Sequence, residues 1–279
     1  VAEQSFYKML KDSGVSRVSL NCRLLSASSA PMHINDSGTA KVESITVLCE
    51  PNSVISAVVF IDASYDGDIM TALGNVEYTA GRESISKYNE SLAGSRAPGW
   101  SGVGGPRHVN ALASSDLPSS IIKYVSNLTE LTPAGEADDA LMAFQHRLCI
   151  SADDDRVPWP KPNDYNPEDF LLIQHALDAQ QAEHPGTPPT ADFFTRLPPS
   201  TLPGYPGPKK KYCLCCGISV AATDQPMLNK GWANATWERK QQIIADHTYF
   251  ELGTFYYLSH DPRVPESVRE AFSMYGLCA

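Results

Sequence analysis

The chain has 279 residues, a formal net charge of -10 and an isoelectric point near 5.1. A phosphate backbone is bound by clustered Lys and Arg, and the basic run at residues 209–211 is the only one here, so nucleic acid is not an expected partner. No apolar stretch approaches the ~20 residues that span a bilayer, so a membrane is not expected either.

The first part of the chain predicts a helix followed by strands. Phe6, Met9 and Leu10 share one helix face, and Gly14 suits the position just after a helix end. Strands are expected over residues 18–25, 42–49 and 54–61, because turn-forming residues separate these β-prone runs. This pattern predicts a helix, a strand, an antiparallel excursion and a returning strand.

The returning strand has the most informative end. Residues 58–61 are four consecutive apolar residues, as in a strand buried on both faces. Small or turn-forming residues follow, among them Ala63, Ser64 and Gly67, and a short helix is compatible with residues 68–73. A strand, tight turn and helix in this order present backbone N–H groups to a ligand.

These residues resemble a known family. The segment is similar to the second flavin-contacting motif of FAD-dependent oxidoreductases of glutathione-reductase-like fold, and more narrowly to a mostly bacterial, uncharacterised group of them. The matching blocks keep the family's order along the chain and lie at residues 60–70, 81–84, 88–90, 93–94, 144–145, 147–149, 156–162 and 261–265.

The resemblance implies an α/β fold that contains part of an FAD/NAD(P)-binding Rossmann-like domain with a β-meander, and an α+β substrate-side region. It implies FAD as cofactor and hydride transfer between a small organic substrate and the flavin. The domains expected are residues 1–80, the second half of the FAD-binding domain, and 81–279, the substrate or cap region. The residues expected to contact FAD are Leu24, Leu25, Ala63, Ser64, Tyr65, Gly67 and Asp68.

The Gly-x-Gly-x-x-Gly fingerprint that seats a dinucleotide pyrophosphate is not in the sequence. The nearest stretch, residues 102–107, lacks the third glycine, and we expect residues 94–106 to form a loop. The chain is therefore expected to be an excerpt that holds FAD weakly or not at all by itself. The alternative is a truncated, non-catalytic remnant or binding module of the same fold. The substrate, the electron acceptor and the oligomeric state are left open.

Three polar residues are candidate catalytic residues. Arg82, just beyond the flavin motif, could contact an anionic substrate or the flavin, or form an ion pair with Glu83 or Glu90. A strand is expected over residues 141–150, in which Gln145 and Arg147 share the polar face. They are either substrate contacts, as the resemblance implies, or part of an edge strand in which Arg147 pairs with Asp153 or Asp154. For His146, on the other face, a packed histidine is expected rather than a base.

The remaining elements follow from local signals. Prolines predict an extended segment over residues 156–165, and Asn166 with Pro167 predicts a helix start. A proline-rich loop is expected over residues 185–208. A long helix is expected over residues 236–259 and a short one over 266–275. His247, in the long helix, is a weak acid/base candidate for which we expect a structural role.

The seven cysteines are odd in number and scattered, which does not indicate a disulfide framework, so reduced thiols are the default expectation. Cys213 and Cys216 have the spacing of half a zinc site, but no second pair follows. A disulfide or free thiols are expected there, and no metal.

Overall fold

The computed structural model describes residues 2–31, 40–49, 52–74, 78–95, 132–144, 146–183, 185–187, 211–214 and 228–279. The chain divides into two compact units, Val1–Tyr78 and Thr79–Ala279. The described residues combine helices with small antiparallel sheets. No helix in these ranges is long and apolar enough to cross a membrane.

The first unit contains helix α1 and a three-stranded sheet. Helix α1 spans Ala2–Asp12, and Gly14 follows it with φ 77°, as predicted. Strands β1 (Arg23–Pro31), β2 (Ala40–Leu48) and β3 (Ser53–Ser56) pair antiparallel in the order β1-β2-β3. The predicted antiparallel excursion is confirmed, although β1 begins later than expected. Helix α2, Asp68–Leu73, contacts β1.

The prediction of a buried strand at residues 58–61 is wrong. The sheet ends at Ser56, and Val58, Val59 and Ile61 are 90, 71 and 84% exposed. A β-branched run indicates burial only when neighbouring strands cover it, and no strand among the described residues pairs with residues 58–61. The segment is extended chain that leads into the turn before α2.

A disulfide joins the two strands of the hairpin, in contrast to the expectation of reduced thiols. Cys22 and Cys49 are bonded, with their Cα atoms 4.7 Å apart. Arg23 and Leu48 are partners in the β1-β2 register, so the residues one step beyond them face each other. The odd count in the sequence concealed this pair because register, not number, decides which cysteines meet.

The second unit is built around a long helix. Helix α3 spans Ile85–Tyr88, and strand β4 (Leu148–Ser151) pairs antiparallel with β5 (Lys211–Leu214) and β6 (Gly276–Leu277). Helix α4 is Leu171–Glu183, α5 is Trp237–His260 and α6 is Glu266–Ser273. Their core consists of Ile150, Trp159, Phe170, Ile173, Ala176, Leu177, Phe250, Phe255, Tyr257, Leu258, Val264, Val268, Phe272 and Tyr275.

The predicted helix starts are confirmed by their caps. The Thr236 side chain accepts a hydrogen bond from the Arg239 N–H at the start of α5. The Asn166 side chain accepts one from the Glu168 N–H at 3.2 Å, where a 3-10 turn, Pro167–Phe170, leads into α4. A capping side chain satisfies N–H groups that have no partner within the helix, so these local signals fix where each helix begins.

The proline segment is also extended, as predicted, and it is tied to the core. Val157 exchanges two backbone hydrogen bonds with Leu277, of 2.9 and 2.8 Å. The Trp159 indole N–H donates to the Phe272 carbonyl at 3.0 Å, and its ring stacks on Phe255. Of the predicted features, most of the loop at 94–106, most of the loop at 185–208, and Cys215 and Cys216 lie outside the described residues.

Candidate functional site

The turn before α2 is organised by one carboxylate. Asp62 Oδ1 accepts hydrogen bonds from the Ser64 N–H at 2.9 Å and from the Ser64 hydroxyl at 2.6 Å. Asp62 Oδ2 accepts from the Ile69 N–H at 2.8 Å, and Ser64 Oγ accepts from the Asp68 N–H at 3.0 Å. These bonds fix the path of the turn and satisfy two N–H groups at the start of α2.

These hydrogen bonds also set the charge of the turn. Partial burial raises the pKa of Asp62, but the hydrogen bonds from Ser64 and Ile69 outweigh it, so the pKa lies below its usual range. Asp62 is therefore ionised at neutral pH. Asp66 and Asp68 follow within a few residues, which makes this an acidic turn.

The predicted cofactor residues in the turn are accessible. Ala63 and Ser64 are exposed, and the Tyr65 side chain is fully exposed. Gly67 has φ 66° and is the residue before α2; a Cβ there would lie 3.2 Å from the Met70 Cε. Glycine is favoured at this position because other residues are strained in the left-handed region.

The two predicted cofactor residues in β1 lie at an irregularity of the strand. Leu24 pairs with Val47 and Ser26 with Thr46, so Leu25 is the extra residue of a β-bulge. The backbone of a bulged residue stands outside the regular ladder of inter-strand hydrogen bonds. Because β1 contacts α2, both predicted sets of cofactor residues belong to one unit.

Arg82 is bound to Asp138 and not to either glutamate considered from the sequence. Its Nε donates to Asp138 Oδ1 at 2.8 Å and its Nη2 to Asp138 Oδ2, and the two backbones exchange hydrogen bonds. Glu83 pairs with Lys87 instead. At Gly81, a Cβ would lie 2.2 Å from the Asp138 carbonyl oxygen, so the two segments touch closely. These contacts favour the structural alternative for Arg82.

We expect the Arg82–Asp138 pair to make stability depend on acid pH. Hydrogen bonds from Arg82 hold the pKa of Asp138 below its usual range, so its stabilisation is complete above the unfolded-state pKa and is lost as pH falls through the folded-state pKa. Asp138→Asn should lower the free energy of unfolding by about 1 kcal/mol at pH 7, a discounted value because Arg82 is 38% exposed. Urea unfolding at a series of pH values from 7 to 2 measures the loss of stability in Asp138→Asn and its dependence on pH.

The matched control is Asp139→Asn, because Asp139 forms an ion pair with Lys230 in which both side chains are more than half exposed. Such a pair should contribute at most about 0.5 kcal/mol. The free energies of unfolding of Asp138→Asn and of the unsubstituted protein should become equal as the pH falls below ~4, the ordinary range of an aspartate pKa. A difference that stays constant down to pH 2 would contradict the assignment.

The segment around Arg147 alternates as predicted. Phe144, His146 and Leu148 are at least partly buried, whereas Arg147 and Cys149 are exposed, although the strand itself begins only at Leu148. Gln145 lies outside the described residues. The polar face of this segment is therefore accessible at Arg147, and contact of Arg147 with a substrate stays a prediction.

His146, for which a packed role was expected, is instead half-exposed and held by a buried acid. Its backbone N–H donates to Glu251 Oε1 at 3.0 Å, and its Nδ1 lies 3.1 Å from Glu251 Oε2. Glu251 is in α5 and is 1% exposed. One carboxyl oxygen thus accepts from the His146 backbone, and the other shares a hydrogen bond with the ring whose direction depends on the tautomer. The pair resembles the carboxylate–imidazole arrangement that orients a catalytic histidine.

Sequence reasoning singled out His247 of the second unit, with a structural role expected, but missed the buried polar residues Glu251 and Thr254 on the same helix face. His247, Glu251 and Thr254 are each at most 2% exposed and lie at positions i, i+4 and i+7 of α5. Residues with that spacing share one face of a helix. A buried face usually carries apolar residues, so polar side chains at core spacing were the signal that could have identified it.

No set of three or more His, Cys, Asp or Glu within the described ranges is arranged to hold a metal ion. Comparison with known proteins then decides the family. The FAD dependent oxidoreductase family matches residues 1–261. The chain belongs to this family. Neither the curated proteins nor the solved structures contain a significant match.

The family match makes this protein an FAD-dependent oxidoreductase, as the resemblance predicted, and FAD its cofactor. The described turn fits part of that molecule. The exposed residues Ala63 and Ser64 leave room for a flat or hydroxylated group, whereas the ionised Asp62 and its acidic neighbours would repel a diphosphate. The turn therefore suits the uncharged portion of FAD.

Proposed function

We propose that the first unit supplies half of the FAD site and that the enzyme transfers a hydride between a small organic substrate and the flavin. The observation that carries this is the turn from Asp62 to Asp68, whose path is fixed by hydrogen bonds and whose residues Ala63, Ser64 and Tyr65 are exposed. It lies inside the range that matches the family. A glutathione-reductase-like arrangement of the domain, and the division into residues 1–80 and 81–279, are parts of this proposal.

The residues of this chain would act mainly by binding. Ala63, Ser64 and Tyr65 would lie along the uncharged part of FAD, and the bulged backbone at Leu25 would contact it from β1. FAD, when bound, supplies the capacity to accept or return a hydride, and the protein orients the substrate and tunes the ring. Arg147, exposed beside His146, is the predicted substrate contact that the structure leaves accessible.

The proposal is tested by titrating the purified chain with FAD and following flavin fluorescence in the unsubstituted protein and in Gly67→Ala. An alanine in the left-handed conformation of Gly67 would strain the backbone by about 1–2 kcal/mol. The turn would relieve this strain by changing its backbone conformation. We expect Gly67→Ala to weaken FAD binding about tenfold, since 1.4 kcal/mol corresponds to a factor of ten.

The matched control is Gly74→Ala, at the other end of α2. Gly74 has φ 67°, close to the 66° of Gly67, and a Cβ there would meet nothing within 4 Å. The two variants should therefore lose similar stability, while only Gly67→Ala should lose affinity. Equal affinities for FAD in the two variants would contradict the placement of the cofactor at this turn.

A further inference from the structure

The second unit contains a cavity of about 220 Å³ beside α5. It is lined by Phe144, His146, Trp232, Ile243, Ile244 and His247. The inner end is formed by Ile243 and His247, which are 0 and 2% exposed, whereas His146 and Ile244 are partly open to solvent. An apolar cavity of about 150 Å³ holds one benzene molecule, so this one has room for a ring with a substituent.

His247 is the unusual residue at the inner end. Neither of its ring nitrogens has a hydrogen-bond partner in the described part of the chain. Buried polar groups are nearly always hydrogen-bonded, because leaving one unpaired gives up its interactions with water. Burial, with the charge that His146 can carry, lowers the pKa of His247, while Asp246 opposes this more weakly, so the imidazole is neutral at pH 7. A neutral imidazole offers one donor and one acceptor.

His146 offers a complementary group at the mouth. Its Nδ1 lies 3.1 Å from Glu251 Oε2, and in the neutral tautomer that carries its proton on Nδ1, the ring donates to Glu251 and leaves Nε2 as an acceptor. Glu251 is a positioning residue here, because it fixes the tautomer and the orientation of the ring and lines no part of the cavity itself. A ligand in the cavity can therefore donate a hydrogen bond to His146, and it can donate to or accept from His247.

The charges around the cavity restrict the ligand to an uncharged one. Glu251 is buried next to His146, and in its ionised form it disfavours an anion. The ammonium of Lys240 lies 5.2 Å from the centre of the Trp232 ring and disfavours a second cation there. A hydroxyl group is uncharged and both donates and accepts, so it can satisfy both histidines at once.

We propose that this cavity binds a small uncharged alcohol or phenol with an apolar body, whose hydroxyl donates to His146 Nε2 and accepts from His247. The body of the ligand packs against Phe144, Trp232 and the isoleucines. Nothing in this inference requires FAD to be bound, so it stands or falls separately from the proposed cofactor site.

The test is calorimetric titration of the full chain, without FAD, with benzyl alcohol, toluene and benzoate. The three probes share one ring and differ in the polar group. We expect benzyl alcohol to bind at least tenfold more tightly than toluene, because only the alcohol satisfies the histidines, and benzoate to bind more weakly than either. Carbon-13 chemical shifts of the His247 imidazole should change with the alcohol.

Two variants and a control complete the test. His247→Phe should abolish the preference for the alcohol while toluene still binds, and Glu251→Gln should reduce the preference and shift the imidazole resonances of His146 that report its tautomer. The control is His260→Phe, since His260 is on the same helix, is exposed and stacks on Tyr256; it should bind all three probes unchanged. Circular dichroism checks that each variant is folded.

Three outcomes would overturn the proposal. Equal affinity for benzyl alcohol and toluene would show that the histidines do not form hydrogen bonds with the hydroxyl of the ligand. Tighter binding of benzoate would make the cavity an anion site. Failure of all three probes to bind the unsubstituted protein would mean that a ring does not enter the cavity.

Discussion

Replacing Gly253 by alanine is expected to lower the free energy of unfolding by about 2–3 kcal/mol, at the upper end of the usual range for overpacking. Gly253 is in the middle of α5, and a Cβ there would lie 2.1 Å from the Phe170 Cζ and 2.9 Å from its Cε1. The clash outweighs the gain of about 1 kcal/mol that alanine usually brings to a helix.

Phe170 cannot move away at low cost because other rings surround it. It is 1% exposed and stacks with Tyr165 and Tyr257, with ring centroids at 5.5 and 5.9 Å. Tyr249 and Phe250 contact it as well. Protein cores are close-packed and four rings contact Phe170, so the extra methyl must displace either a ring or the helix backbone.

Urea unfolding measures the effect, with Gln241→Ala, at an exposed position of α5, as the control that should change stability by at most about 0.5 kcal/mol. A double-mutant cycle identifies the cause. If the clash is with Phe170, Phe170→Leu should cost less in the Gly253→Ala background than alone. Additive effects of the two substitutions on the free energy of unfolding would contradict a clash with Phe170, and so would a Gly253→Ala variant that is more stable than the unsubstituted protein.

Local signals in the sequence determined the helices well. Thr236 and Asn166 carry their capping oxygens wherever the chain folds, so the starts of α5 and of the turn before α4 could be predicted. The extended proline segment followed from the covalent structure of proline. Strands were harder, because the run at residues 58–61 shows only that it is apolar, and its exposure depends on which strands lie beside it.

The candidate site was predictable only where its partners are close in sequence. The turn from Asp62 to Asp68 was identified, and the family it implied is confirmed. The partner of Arg82 is 56 residues away and that of His146 is 105 residues away. Such pairs are set by tertiary packing, so Asp138 and Glu251 carried no local signal for their roles.

His247→Phe is expected to raise the free energy of unfolding by about 2 kcal/mol, within the penalty of about 1–3 kcal/mol for a buried polar group without a partner. Phenylalanine keeps a flat ring of similar size and removes both nitrogens, neither of which is hydrogen-bonded within the described ranges. Since Ile243 and Phe144 are its apolar neighbours at the cavity, the new ring should be well accommodated.

Urea unfolding in the absence of any ligand measures this change, and His260→Phe is again the control, since that exposed imidazole should leave stability almost unchanged. A destabilised His247→Phe would contradict the prediction, because it would show that the imidazole is satisfied and holds the fold together. A gain in stability with loss of the preference for an alcohol would instead identify His247 as a residue that binds ligand at the expense of the empty protein. Proteins commonly retain such destabilising groups at the sites where they act, which is why a buried histidine without a hydrogen-bond partner in the described ranges favours a role in binding over one in packing.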